Sequence, residues 1–298
     1  MSEAHMRIAI LGGSGHINRR LIEVIEPVAS SLQIKATILI ISRSAAERCA
    51  PSSTSSVSID YAVGSVLEPN AELLELFQVR SIDRVFFCLP QSLSSTEMLS
   101  ASNAFTDLVY GTIRTVVRIS SFGIDESYPP QGALALAHKQ GEDYMRMKGL
   151  TITSIRPTSF FSNFATHDLP SIKASNSIFS PLGFDSVAVN WISTQDIAEV
   201  SANCLLNDSL DGKILELTGD INNLYTIEKI CSVVAEFTGK QCKYNEIPIP
   251  ESRDYRELWE YLRAGGFNCV TGTFQEVLGS HRRPILFSDY IRDALSEL

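Results

Sequence analysis

The sequence predicts an α/β fold in which a doubly wound parallel sheet is followed by a smaller C-terminal α+β lobe. Three observations support this prediction. Strand-like and helix-like segments alternate through the first half of the chain, a glycine-rich turn joins the first strand to the first helix, and the pattern becomes irregular after Pro157. With 298 residues, of which 44% are hydrophobic, the chain can bury a full core.

Hydrophobic periodicity places the individual elements. The predicted strands cover 7–11, 36–41, 57–63, 83–89, 115–120 and 151–156, and the helices between them cover 18–28, 71–77 and 134–147. The helix over 18–28 is expected to end near Pro27, because proline removes a helical hydrogen bond. Later elements are a helix over 194–206 capped by Thr194, a strand over 214–217, a helix from Thr226 to Gly239, and a mostly helical tail broken at Gly265 and Gly266.

Composition excludes several classes of protein. A formal net charge of −9 argues against non-specific binding to nucleic acid or to an anionic membrane, since both require a basic face. Nothing approaches an apolar run of about 18 residues, and the N-terminus lacks the layout of a secretory signal. We therefore expect a cytoplasmic protein without membrane segments. The six cysteines include no CxxC pair, so we expect free thiols and no metal site.

The glycine-rich turn has the chemistry of a dinucleotide site. Glycine is needed where the backbone turns tightly and approaches a pyrophosphate, which then lies on the helix N-terminus. Gly12 and Gly15 fill two of the three fingerprint positions, and Asn18 stands at the third. The alternative is a plain tight turn, but its position between strand and helix favours the nucleotide site. The predicted contacts in this turn come from Gly12, Ser14, Gly15, His16 and Ile17.

The end of the second predicted strand indicates which dinucleotide binds. An acidic residue at this position holds the ribose hydroxyl of NAD, whereas arginine accommodates the 2′-phosphate of NADP. Arg43 stands here, with Ser44 beside it as a second phosphate ligand. A solvent-exposed arginine without a ligand is the alternative. We predict NADP(H) as the cofactor and a Rossmann-type domain over 1–157, to which elements near 186–220 return, with 158–298 forming mainly a substrate lobe.

The segment 151–164, which contains Arg156-Pro157-Thr158, resembles the T-x-L-R-P-x-x-F-x-x-N block of NmrA-like proteins, a branch of the atypical short-chain dehydrogenases/reductases. The segments 191–198, 224–230 and 274–279 are similar to segments of the same family. The chain is also similar to fungal iminium reductases, which have a similar Arg-Pro-Thr segment, and to NAD(P)H quinone reductases. The resemblance implies an NADP-preferring domain and roles ranging from reductases to redox sensors without catalysis. It also implies that Leu89, Pro90, Pro157 and Phe160 flank the nicotinamide.

The chain departs from the family where ordinary short-chain dehydrogenases carry their Tyr-x-x-x-Lys pair. If His138 or Lys139 marks the lysine position, the tyrosine position falls on Leu134 or Ala135, and neither can donate a proton. Reducing an iminium carbon requires no acid, because the carbon already carries positive charge. The missing pair therefore favours that reaction over ketone reduction.

Three residues are predicted to act on the substrate. His138 is the best titratable group, and Glu142, four residues on, could orient its imidazole, although a structural histidine paired with Glu142 is equally consistent. Ser120 ends a parallel strand and so faces the expected ligand crevice, and Tyr128 could supply a phenol from a loop. Lys139 and Asp143 are expected to form a solvated salt bridge.

Aromatic residues after the sixth strand indicate an apolar or aromatic substrate, although core packing would explain the same residues. They are Phe160, Phe161, Phe164, Phe179 and Trp191. The sequence therefore predicts an NADPH-dependent reductase of a small imine, enone or quinone, with a place in secondary metabolism. The alternatives are an NADP(H)-sensing regulator without turnover and a redox-neutral cyclase or isomerase on the same scaffold.

Overall fold

The computed structural model describes residues 5–13, 15–43, 52–125, 132–184 and 187–296. The chain divides into two compact units. The first unit consists of Met1–Ser120, Ala137–Arg156 and Ile197–Leu215, and the second of Ser121–Leu136, Pro157–Asp196 and Glu216–Leu298.

The elements alternate as the sequence predicts. In chain order they are β1 (His5–Leu11), α1 (His16–Leu32), β2 (Lys35–Ser42), β3 (Ser52–Ser53), β4 (Val57–Val63), α2 (Ala71–Val79), β5 (Arg84–Phe87), α3 (Ser95–Val109), β6 (Thr115–Ile119), α4 (Ala133–Met147), β7 (Thr151–Pro157), β8 (Ser159–Phe160), α5 (Phe161–His167), α6 (Leu169–Ser175), β9 (Ser177–Ser180), β10 (Val189–Ile192), α7 (Thr194–Leu206), β11 (Ile214–Leu217), β12 (Leu224–Tyr225), α8 (Ile227–Thr238), β13 (Lys243–Glu246), α9 (Arg253–Arg263), α10 (Thr273–Leu278) and α11 (Phe287–Ser296).

The main sheet confirms the predicted fold class. Over the described residues its strand order is β11-β7-β6-β5-β1-β2-β4-β3. The neighbours from β4 through β7 pair in parallel, and the short β3 runs antiparallel to β4. From β1 the chain builds the sheet first toward β2 and β4, then returns to add β5, β6 and β7 on the other side. This reversal is the topological switch point at which doubly wound sheets bind their ligands.

Helix α1 extends beyond the predicted end, because it continues through Pro27 to Leu32. Proline leaves the carbonyl four residues earlier, that of Glu23, without a helical partner. Glu23 and Pro27 both lie on the exposed side of the helix, where water can hydrate that carbonyl. The opposite face, with Ile25 and Ala29, is fully buried and continues past the proline. Burial of this face is the physical reason why the helix does not stop.

The segment Ile197–Leu215, the last part of the first unit, is held against the sheet by hydrogen bonds to the buried guanidinium of Arg84. Arg84 at the start of β5 is inaccessible to solvent and donates to both carboxylate oxygens of Asp211, at 2.8 and 2.9 Å, and also to Asp208. Thr153 of β7 donates to the carbonyl of Leu210 at 2.9 Å. A buried guanidinium requires such partners, so these aspartates fix where the chain after α7 meets the sheet.

The second unit is organised around the ring of Phe287. Trp191 stacks on this ring with the centroids 4.6 Å apart, and Phe161, Phe164 and Tyr225 contact it at 5.0 to 5.5 Å. These side chains are all buried in one apolar core. Core packing, the alternative reading of the aromatic residues, therefore accounts for Phe161, Phe164 and Trp191.

The small strands of the second unit form two sheets among the described residues. The order β12-β10-β8 forms one, and β13 pairs in parallel with β9 in the other.

Helix α7 begins at Thr194 as predicted, but the side chain that caps it is Ser193, whose hydroxyl accepts from the Asp196 amide at 2.9 Å. In the described part of the chain, no helix combines the length and the apolar character needed to cross a bilayer.

Candidate functional site

The turn between β1 and α1 leaves a helix N-terminus open. Gly12 has a φ of 86°, a conformation that favours glycine, and its amide donates to the Ile41 carbonyl at 2.8 Å. Gly15 precedes the helix; no described side chain caps it and its first turn holds no acidic residue. Gly12, Gly15 and His16 are exposed, whereas Ile17 is buried. Free amide groups and the helix dipole together make this end suitable for an anion.

Asn18 holds the turn from the inside. Its amide nitrogen donates to the carbonyl of Leu11 at 2.7 Å and also to that of Gly12, and the side chain is buried. A glycine at this position would leave both carbonyls to other partners. The departure from the fingerprint is therefore compatible with a formed turn, because a carboxamide supports the backbone where glycine usually permits close packing.

The ends of β2 and β4 lie beside this turn in the sheet. Arg43 directly follows β2, is exposed, and forms no ion pair with any residue in the described part of the chain. After β4, the Gly64 amide donates to the Ser42 carbonyl at 3.0 Å, and the Ser65 hydroxyl accepts from the Leu67 amide at 3.1 Å. Ser65 thus shapes the loop that follows β4. Ser14, Ser44 and Tyr128 lie outside the described residues.

A buried polar cluster lies where β6 and β7 meet α4, within the first unit. We define it as Arg118, Ser120, His138, Glu142 and Arg156. Glu142 is inaccessible and is held by the Arg156 guanidinium, with Nε–Oε1 at 3.2 Å and Nη2–Oε2 at 2.8 Å. Burial raises the pKa of Glu142, but the Arg156 hydrogen bonds and charge outweigh this effect and bring the pKa to about 2. The carboxylate is therefore ionised throughout the physiological range.

His138 does not receive the orienting contact expected from Glu142. Its Nδ1 atom is buried without a hydrogen-bond partner in the described part of the chain. Glu142 instead binds Arg156 and also Arg146, whose Nη2 lies 3.1 Å from Oε2. Burial, and then the charge of Arg118, lower the pKa of His138 to about 3. The imidazole is therefore neutral near pH 7 and can accept or donate a hydrogen bond, but it is not an imidazolium acid.

Arg118 is not among the site residues predicted from the sequence. This residue is fully buried in β6, donates to the Ser102 hydroxyl at 2.6 Å, and lies 5.2 Å above the centre of the Phe87 ring. Among described residues its Nε and Nη2 atoms have no hydrogen-bond partner. Burial lowers its pKa to about 10, so the guanidinium remains charged. A charged residue inside the apolar strand Thr115–Ile119 is the sequence signal that could have revealed it.

The remaining groups of the cluster are neutral. The Ser120 hydroxyl is buried and close enough to Glu142 to lower the pKa of that carboxyl, but it makes no hydrogen bond of good geometry in the described structure. Cys88 follows β5, and burial raises the pKa of its thiol to about 12. Two buried guanidiniums thus face one carboxylate, so the cluster carries a net positive charge and has unpartnered donors. Lys139 and Asp143 form the expected surface pair at 3.5 Å.

Comparisons with known proteins agree with this architecture. No protein-family model matches the chain. Over 110 residues the chain is 32% identical to prestalk A differentiation protein A of Dictyostelium discoideum, a segment that covers 37% of this chain and 35% of that protein. The match thus spans about a third of the curated relative's length.

Solved structures resemble nearly the whole chain. An NADPH-dependent quinone oxidoreductase from Escherichia coli, in complex with NADPH, has a TM-score of 0.76 at 15% identity and covers 97% of this chain and 99% of its own. Triphenylmethane reductase from Citrobacter sp., in complex with NADP(H), has a TM-score of 0.72 at 15% identity, with coverages of 97% and 100%. The chain shares the fold of these two reductases. The shared fold confirms the predicted Rossmann-type α/β architecture.

Of the four residues expected beside the nicotinamide, Pro157 and Phe160 belong to the second unit. Pro157 ends β7, and its carbonyl accepts from the Phe122 amide at 3.2 Å. Phe160 precedes α5 and is half-buried, unlike the inaccessible Phe161. Phe160 is therefore available for contact with a ligand, whereas Phe161 belongs to the core.

Proposed function

We propose that the protein is an NADPH-dependent reductase that transfers hydride to a small, largely apolar or aromatic electrophile. The observation that carries this proposal is the open N-terminus of α1 after the Gly12 turn, with Arg43 exposed at the end of the adjacent strand and without an ion-pair partner among the described residues. The turn would hold the pyrophosphate, and Arg43 would hold the 2′-phosphate. Bound NADPH would supply the hydride.

The polar cluster supports a particular order among the electrophiles. Its net positive charge stabilises an oxygen that gains negative charge during reduction, as a quinone or enone oxygen does, and disfavours a cationic iminium. The positive cluster therefore favours an oxygen-bearing electrophile, whereas the missing acid alone favours an iminium. The complexes of the two similar reductases with NADP(H) and NADPH, one of which is a quinone oxidoreductase, support the same class of reaction.

Calorimetric titration with NADPH and NADH tests the cofactor assignment. We expect NADPH to bind more tightly, and Arg43→Ala to weaken NADPH binding by about tenfold to a hundredfold while leaving NADH binding unchanged, because a charge-assisted phosphate contact is lost. Arg20→Ala is the matched control, since Arg20 is an exposed arginine on α1 that pairs with Glu23 at 2.8 Å. Equal losses in both variants would refute the role of Arg43.

Absorbance at 340 nm, followed with a panel of quinones, enones and iminium ions, tests turnover. Consumption of NADPH with a quinone or enone supports the proposal. Tight NADPH binding without oxidation by any electrophile would instead favour the non-catalytic regulator. Product formed without NADPH consumption would favour a redox-neutral isomerase or cyclase.

The resemblance to fungal iminium reductases favours a place in secondary metabolism. The cytoplasmic location expected from the sequence stays a prediction.

A further inference from the structure

Two cysteine thiols meet inside the second unit. Cys231 lies in α8, Cys242 precedes β13, and the two side chains are hydrogen-bonded to each other. Both are free thiols and both are buried. Ten residues, 232–241, separate them in the chain, so the turn after α8 brings the two sulfurs together.

One of the two thiols lies just beneath the surface. Gly239, Lys240 and Gln241 form the exposed turn that leads to Cys242, and Lys243 after it is exposed as well. A small opening of this turn would expose Cys242, whereas Cys231 would remain covered by the helix. Cys242 is therefore the thiol that a small reagent reaches first.

A half-buried carboxyl lies beside the pair. Asp168, at the start of α6, is close enough that its charge raises the pKa values of both thiols. Burial raises the pKa of Asp168 itself to about 7, so this carboxyl can take up a proton near neutral pH. The hydrogen bond between the thiols raises the pKa of Cys231 and lowers that of Cys242. Cys242 is thus the better nucleophile of the two.

We propose that Cys231 and Cys242 form a redox-active dithiol that a small-molecule disulfide of the glutathione class converts to an intramolecular disulfide, with Asp168 as the proton acceptor. Nothing in this site depends on the proposed reductase activity.

The exchange proceeds in two balanced steps. Cys242 loses its proton to water, and the thiolate attacks one sulfur of the small disulfide, whose S–S bond breaks and releases one glutathione thiolate that takes up a proton from water. Cys231 then gives its proton to Asp168 and attacks the Cys242 sulfur of the mixed disulfide, which releases the second glutathione thiolate. The two cysteines are oxidised to one disulfide, and one glutathione disulfide is reduced to two thiols.

Mass spectrometry of the full chain tests the site. After incubation with oxidised glutathione we expect a mass lower by two hydrogen atoms. A non-reduced tryptic digest should contain the peptide 230–240 linked to the peptide 241–243, because Lys229, Lys240 and Lys243 flank the two cysteines. Closing this short loop restricts the unfolded chain and should raise the unfolding temperature of the second unit by about 5 °C.

Variants separate the roles of the three residues. Cys231→Ala should accumulate a single glutathione on Cys242, whereas Cys242→Ala should react much more slowly, and Cys204→Ala, a buried cysteine of the first unit, should behave as the parent chain. Asp168→Asn should slow closure about tenfold at pH 7 and remove its rise with pH near neutrality. Cys231 and Cys242 are the titratable groups whose pKa values the charge of Asp168 raises in the described structure.

Several results would overturn the proposal. One is an unmodified 230–240 peptide in wild-type protein at oxidant concentrations that convert other protein thiols. Another is a disulfide that links either cysteine to Cys49, Cys88, Cys204 or Cys269. An unchanged pH profile in Asp168→Asn would remove the carboxyl from the mechanism.

Discussion

Replacing His138 with glutamine should remove a pH-dependent contribution to stability. Burial and the charge of Arg118 lower the pKa of the folded imidazole to about 3, against 6.5 in the unfolded chain. Between these two values the unfolded state binds a proton that the folded state does not. The contribution of the neutral His138 to the free energy of unfolding is therefore fully present above about pH 6.5 and is lost progressively as the pH falls toward 3. Glutamine cannot be protonated in this range and lacks this term.

The magnitude follows from proton linkage. Each unit of pKa difference corresponds to about 1.4 kcal/mol, so wild type should lose roughly 1.4 kcal/mol relative to His138→Gln between pH 7.5 and 5.5. Asp168 acts with the opposite sign, because its pKa is raised to about 7 and its protonated form is favoured by folding. The two effects oppose each other in the wild-type curve, so the difference between wild type and variant is the quantity to measure.

Urea unfolding followed by far-UV circular dichroism at pH 7.5, 6.5 and 5.5 provides that difference. A histidine NMR titration, in which the His138 signal is assigned by its loss in the variant, provides the pKa directly. A stability difference that stays constant with pH, or an imidazole that titrates near pH 6.5, would refute the neutral, desolvated state of His138.

Three further changes test the packing. Glu142→Gln should cost about 3–5 kcal/mol in urea unfolding because it leaves the buried Arg156 without its carboxylate, and a loss below about 1 kcal/mol would contradict the buried pair. Asn18→Ala should cost about 1–3 kcal/mol and weaken NADPH binding, since two turn carbonyls lose their donor; unchanged binding would show that the turn holds without it. Phe287→Ala should cost about 3–5 kcal/mol and alter Trp191 fluorescence, whereas an unchanged spectrum would deny their stacking.

The fold could be predicted from the sequence because its strands are short, apolar and regularly spaced. The predicted strands over 57–63 and 214–217 coincide with β4 and β11. Helix α3 was not assigned, although Ser94 and Glu97 form a capping box that marks its start. The end of α1 was misplaced because Pro27 is read locally as a stop, while its solvent-facing position depends on packing that a sequence window does not contain.

The candidate site could be predicted only in part. The glycine turn depends on local backbone geometry, so its residues follow from neighbouring sequence. The polar cluster depends on side chains far apart in the chain, and Glu142 therefore has a strand arginine, Arg156, as its partner where sequence spacing suggested His138. Helical spacing shows that His138 and Glu142 can share a face of α4. It cannot show that Arg156, which comes from the sheet, binds Glu142 in place of His138.

Burying the charged groups of the polar cluster lowers the free energy of unfolding, and this loss of stability bears on the role of the cluster. Burying Arg118 and Arg156 with one carboxylate requires desolvation that apolar residues of similar size would avoid, and Arg118 keeps donors without partners in the described structure. The neighbouring strand residues Val116 and Val117 show that β6 otherwise follows the apolar rule. Sequences break local rules mainly where function requires it. In the function proposed above, a positive, desolvated environment beside a neutral histidine would stabilise the anion that develops on an oxygen-bearing acceptor, without a titrating acid.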